Sequence, residues 1–261
     1  MNDYLEQIEQ ALDCLLPQVT ERPTLLSEAM RWAIECGGKR IRPQICLAAA
    51  EAVGGKAQDA LMPACAIELL HGYTLVHDDL PAMDNDTERR GKASVWAKFG
   101  EANAILAGDA LQALAFQVAA RTPCAVERVV SELAQRGVGV VQGQVEDVAR
   151  EKSGAALTED AVDFIYTHKT ADLFMAAACM GGWAGGGNAE QVEQLRQFAC
   201  NLGLAFQLED DLLDGDSPFS REETERRIRA LTEAAVVALE RLPGETTFLA
   251  SLAQRLVGRA V

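Results

Sequence analysis

Residues 61–86 read LMPACAIELLHGYTLVHDDLPAMDND. Leu61–Leu75 is a run of apolar and small residues with helical recurrence. It ends in four aspartates, Asp78, Asp79, Asp84 and Asp86, with His77 just before them. Like charges repel, so a folded chain gains nothing by gathering them without a counter-charge. The preceding apolar run places the cluster at the mouth of a buried region rather than on an open face.

Helical period continues outward from this stretch. Val192, Leu195, Ala199, Leu202 and Phe206 recur at three- and four-residue steps, and residues 103–120 and 224–242 read the same way. GVGVVQGQ (137–144) alternates briefly, but no partner strand or hairpin turn is evident, so it is read as helix. Breaks fall at Gly37–Gly38, Gly54–Gly55, Thr122–Pro123, Ser153–Gly154, Gly185–Gly187 and DGDSP (214–218). Short connections and no repeat predict one all-α domain over residues 1–261, a bundle of roughly ten or more helices.

The chain has 261 residues, enough for a sizeable core, and a formal net charge of −15. That charge argues against nucleic acid and against anionic membrane surfaces as partners. Seven cysteines, an odd number with no CxxC pair, predict free thiols in a reducing cytoplasm. The acidic, amphipathic start MNDYLEQIEQ is not a signal peptide. The longest uncharged run, Leu173–Ala189, is broken by five glycines and is short for a bilayer span.

A second acidic cluster lies in FQLEDDLLDGD (206–216), with Glu209, Asp210, Asp211, Asp214 and Asp216. On a helix Asp210 and Asp214 stack on one face, and Gln207 points the same way. The donors are hard oxygens with no Cys or His at metal-binding spacing, which selects Mg²⁺ (or Mn²⁺) over zinc. One such cluster could be a solvated helix end; two, each following an apolar helix, favour a cation site.

Three basic groups stand against this acidity: Lys39, Arg40 and Arg42 in GGKRIRP; Arg89, Arg90 and Lys92 in ERRGK; His168 and Lys169 in THKT. Each alone reads as a surface salt-bridge partner. Together with Mg²⁺-type carboxylates they describe a site for two phosphate-bearing groups, one held through metal and one by basic side chains. No GxxxxGK[ST] loop and no kinase signature set is present.

DDLPAMD (78–84), ERRG (88–91), GGKRIRP (37–43), KT (169–170), GQVED (143–147) and FQLEDDLLD (206–214) resemble the trans-isoprenyl diphosphate synthases, and most closely the bacterial short-chain farnesyl diphosphate synthases. The resemblance covers residues from about 30 to 214, in the family's order and approximate spacing. It implies helices around a deep cavity, usually in a homodimer. It implies Asp78, Asp79 and Asp84, then Asp210, Asp211 and Asp214, as ligands of more than one Mg²⁺. Arg89 and Lys169 then hold the allylic diphosphate. Lys39, Arg42, His71 and Arg90 hold isopentenyl diphosphate, and Thr170 and Gln207 face the allylic carbons. The implied reaction is ionisation, condensation and elimination. Tyr73, five residues before Asp78, is the candidate floor of the cavity, and farnesyl diphosphate (C15) the expected product, with geranyl diphosphate the rival.

The sequence departs from the family after Asp214. A longer loop carrying a glycine–lysine pair and a further lysine is expected there, whereas GDSPF runs straight into SREETERRIRAL. Either disordered residues are omitted from the sequence, which is the favoured reading, or the deletion is real. The deletion would suit a non-catalytic partner subunit. A terpene cyclase would share the acid-lined cavity but needs no second diphosphate site.

Overall fold

The computed structural model describes residues 4–153 and 158–256. Twelve α-helices are found among them. They are α1 (Tyr4–Leu15), α2 (Thr24–Glu35), α3 (Ile41–Ala52), α4 (Leu61–Asp78), α5 (Val95–Phe99), α6 (Glu101–Ala119), α7 (Val126–Ser153), α8 (Glu159–Ile165), α9 (Asp172–Ala184), α10 (Ala189–Asp214), α11 (Arg221–Leu239) and α12 (Thr247–Leu256). Between α8 and α9 the chain keeps winding through a π-helical segment, Tyr166–Ala171.

Polar side chains take orphan N–H groups at the starts of α8, α10 and α11. Asn188 and Gln191 form a capping box on α10, and Ser220 accepts from Glu223 N at α11. The alternating segment 137–144 is helical, inside α7.

Helices α4 and α9 occupy the centre. Both are apolar nearly all round, as a helix enclosed on every side must be. Helix α9 packs on α3, α7 and α10, and α4 packs on α6 and α3. The long uncharged run is therefore a core helix and the turn after it. Its small residues bring backbones together: a methyl group at Gly181 would overlap the Cys46 carbonyl on α3. No helix among the described residues is long and apolar enough to cross a membrane. All seven cysteines are free thiols.

One feature was not signalled by the sequence. ERRGK forms a two-residue ribbon, β1 (Glu88–Arg89) against β2 (Lys92–Ala93). Arg90 and Gly91 turn the corner with φ of 55° and 76°, the pattern of a tight hairpin. The connection after Asp214 carries local contacts at both ends. Gly215 stops α10 in the left-handed conformation, Asp216 N donates to Asp211 O, and Ser217 Oγ meets Thr224 Oγ1 at 2.7 Å.

Candidate active site

Both acidic clusters sit at helix C-termini, where the peptide dipoles add their own negative potential. At the first, α4 ends at Asp78 and the chain folds back so that Asp84 N donates to the Asp78 carbonyl at 2.9 Å. Arg89, presented by β1, donates to Asp79 from Nε at 2.7 Å and lies 3.7 Å from Asp86. Asp79 is only 2% exposed. Of the three expected ligands of this cluster, Asp79 is thus already neutralised, and Arg89 is already committed. Among the described residues Asp78 and Asp84 are in no ion pair. Burial, then the Asp84 and Asp79 charges, push the Asp78 carboxyl up to about 6 against the pull of Lys169 and Arg89. Burial and Asp86 also raise Asp84.

The second cluster is arranged differently. Asp211 accepts from Gln207 Nε2 at 2.7 Å and from the Tyr166 hydroxyl. Gln207 in turn accepts from Thr170 Oγ1 at 2.6 Å. Burial and the Asp211 contact raise the Tyr166 phenol. Asp210 lies on the neighbouring face, where its charge acts on Arg42. Asp214 is exposed at the helix end.

The π segment joins the two clusters. Lys169 bonds Asp147 of α7 at 2.5 Å and feels the charges of Asp78 and Asp84. Burial opposes the Lys169 charge, but Asp147 and these aspartates outweigh it and hold the ammonium above its ordinary value. One residue on, Thr170 reaches Gln207.

Beside the clusters lie two cavities of opposite character. One, of about 640 Å³, runs under Asp78 between α4, α6 and α7, lined by Tyr73, Thr74, His77, Ile105, Val140 and Gln144 among others. Its walls are apolar, and Gln144 Nε2 is enclosed without a hydrogen-bond partner. Tyr73 and His77 meet edge to face with centroids 5.5 Å apart. The other cavity, of about 550 Å³, is basic, lined by Gly38, Lys39, Arg42, His71, Arg90 and Phe206 among others. His71 and Asp78 share α4, so one helix serves both cavities.

Within the basic group the structure separates residues that the sequence could not. Arg40 is 4% exposed and locked to Glu68 at 2.8 Å, Glu9 at 2.7 Å and the Ile34 carbonyl at 2.7 Å. It holds helices together and does not face the cavity with a free edge. Arg42 lies over the Phe174 ring, and its enclosed Nε has no partner. Burial lowers it to about 10. Arg90 donates to the Gly37 carbonyl. Its fork lies against Gly38, where any larger residue would meet Arg90 Nη1.

Residues 23–226 match the polyprenyl synthetase family. This chain belongs to that family. It is similar to the chloroplastic heterodimeric geranylgeranyl pyrophosphate synthase large subunit 1 of Arabidopsis thaliana, 44% identical over 221 residues, which is 80% of this chain and 58% of that protein. It is also similar to the farnesyl diphosphate synthase of Geobacillus stearothermophilus, 42% identical over 225 residues, 82% of this chain and 75% of that one. An apo crystal structure of an FPP/GFPP synthase from Zymomonas mobilis superposes with a TM-score of 0.91 at 34% identity, covering 97% of this chain and 95% of that one. The chain spans about three fifths of the length of the plant relatives it matches.

In this member of the family the expected residues on α3, α4, α10 and the π segment are linked by the contacts and charges described above. Sequence reasoning missed Tyr166, Asp147 and Gln144. Asp147 and Gln144 stand in the quoted GQVED stretch but carried no role. Tyr166 lies three residues before Lys169, a spacing that puts it on the same side of a helix.

The donor set fits Mg²⁺. Asp78 and Asp84 offer oxygen donors that are in no ion pair among the described residues, and burial raises both carboxyls. Among the described residues no three Asp, Glu, His or Cys side chains form a ready-made cage. An ion there would complete its shell with water and phosphate oxygens, which is how Mg²⁺ is commonly bound.

Proposed function

We propose that this chain is a Mg²⁺-dependent trans-prenyltransferase that condenses dimethylallyl or geranyl diphosphate with isopentenyl diphosphate. The observation that carries this reading is the pair of cavities served by α4, one apolar and ending at Asp78, one basic and containing His71 and Arg42.

In this reading Asp78, Asp79 and Asp84 on one side, and Asp210, Asp211 and Asp214 on the other, hold the ions. Bound Mg²⁺ supplies neutralisation of the charge that develops on the leaving diphosphate. Lys169 and Arg89 contribute direct hydrogen bonds to that group, and Arg89 would share itself between Asp79 and the substrate. Lys39, Arg42, His71 and Arg90 anchor the second diphosphate. The partnerless Arg42 Nε suits an incoming anion. Two anchored substrates bring the double bond to the allylic carbon, so orientation is fixed before bond making. Thr170 and Gln207 lie beside that carbon as neutral dipoles. The released diphosphate takes the final proton. Apolar walls exclude water that would quench the cation.

Tyr73 forms part of the apolar cavity lining and favours a C15 product, although similar proteins carry both farnesyl and geranylgeranyl names. A homodimer is in keeping with the exposed side chains of Leu106 on α6 and Val138 on α7, outside the cavity lining.

The test is incubation with Mg²⁺ and both substrates, followed by mass spectrometry of the product. A C15 diphosphate is expected. Binding of both substrates without product would instead favour the non-catalytic partner subunit.

A further inference from the structure

A π-helical turn is rare because its hydrogen bonds are poorly shaped, so one that persists is held by its surroundings. Here the holders are visible. Asp172, the residue after the turn, is 1% exposed. It accepts from Arg136 Nη1 of α7 at 2.8 Å and meets His168 Nδ1 at 2.8 Å. Arg136 also reaches Glu132 at 3.2 Å, and Glu132 is gripped by Arg196 of α10 at 2.6 Å. Two carboxylates and two guanidiniums thus tie α7, α9 and α10 together. All of them lie outside the acid clusters and the two cavities described above.

The glycines of α7 make this clamp close-fitting. A methyl group at Gly139 would overlap Asp172 Oδ2, and one at Gly143 would lie 2.5 Å from Lys169 N. The turn is wedged against α7 at both its carboxylate and its lysine. His168, pinned by Asp172, is the immediate neighbour of Lys169, and Phe164 packs on its ring with centroids 4.4 Å apart.

We infer that Asp172, clamped between Arg136 and His168, is a positioning residue that fixes the π turn and thereby sets where the Lys169 ammonium stands. The inference rests on the proposed role of Lys169 at the allylic diphosphate. Buried ion pairs that serve only stability are often replaceable by apolar residues, whereas one that orients a reacting group is felt in the chemistry.

The experiment is a double-mutant cycle in steady-state kinetics with geranyl and isopentenyl diphosphates, using Asp172→Asn, Lys169→Ala and the pair. Asp172→Asn keeps the shape of the side chain and removes its charge. It is expected to lower kcat about 10-fold while leaving KM for isopentenyl diphosphate within about twofold. In the Lys169→Ala background the same change is expected to cost less than about twofold, because its target is gone. Arg136→Lys, which keeps charge but loses the fork, is the second variant and is expected to follow the same pattern. Losses that multiply, or an equal rise in KM for isopentenyl diphosphate, would overturn the positioning role and leave the proposed function standing. A Lys169→Ala enzyme with unchanged kcat would overturn the assignment of Lys169 itself, and the inference with it.

Discussion

Arg42 Nη1 stands 3.2 Å from His71 Nε2. A guanidinium can only donate, so His71 accepts at Nε2 and carries its proton at Nδ1, which is enclosed and has no partner. Burial, then the charges of Arg42, Arg90 and Arg89, hold the His71 pKa well below its ordinary value. The unfolded chain therefore takes up a proton near pH 6.5 that the folded chain refuses. This stability contribution is complete above pH 6.5 and is lost as pH falls towards the folded value, by at most about 1.4 kcal/mol per pH unit. Between pH 7.5 and 5.5 the urea midpoint of the parent should drop relative to that of His71→Gln measured at the same pH values.

Two arginines two residues apart should fail in different ways. Arg40→Met strands Glu68 in the interior and is expected to cost about 3–5 kcal/mol in urea unfolding. Arg42→Met removes a cation with an unsatisfied nitrogen and is expected to change stability by less than about 1 kcal/mol. Its effect should appear as a KM for isopentenyl diphosphate raised on the order of 10-fold or more.

Asp78 sets activity against stability. Its folded pKa of about 6 lies above the ordinary 3.8. The cost of ionising it in the fold is absent below pH 3.8 and complete above pH 6. In chelator, Asp78→Asn should stabilise the protein by about 1–3 kcal/mol at pH 8 and by almost nothing at pH 4. With Mg²⁺ restored, the same variant should turn over on the order of 10²-fold more slowly.

Tyr73 is 6% exposed, lines the apolar cavity and is hydrogen-bonded to Gln112. Tyr73→Ala would deepen the cavity along α4. Mass spectrometry should find products at least one five-carbon unit longer than those of the parent. Unchanged products would remove Tyr73 from the floor. The truncation is expected to cost about 3–5 kcal/mol, so the assay belongs well below the melting temperature.

What the sequence revealed were features written in local spacing. The apolar runs of α4 and α10 and the aspartates that end them are periodic, and periodicity survives without coordinates. Features set by a distant partner were hidden. Nothing in GGKRIRP distinguishes Arg40, which meets Glu9 and Glu68, from Arg42, whose enclosed Nε has no partner. The widened turn at Tyr166–Ala171 is imposed by contacts with α7 and α10, so its own residues read as ordinary helix. The pairing of Arg89 with Asp79 depends on a hairpin, Glu88–Ala93, too short to alternate visibly.

The helix endings at Asp78 and Asp214 bear on the order in which things arrive. In the proposed reading a bare diphosphate approaching this cleft would meet two negative poles, each crowned by carboxylates, and would be repelled. The same anion escorted by divalent ions meets no such barrier. In the proposed reading, magnesium governs admission to the cleft as well as departure of the leaving group.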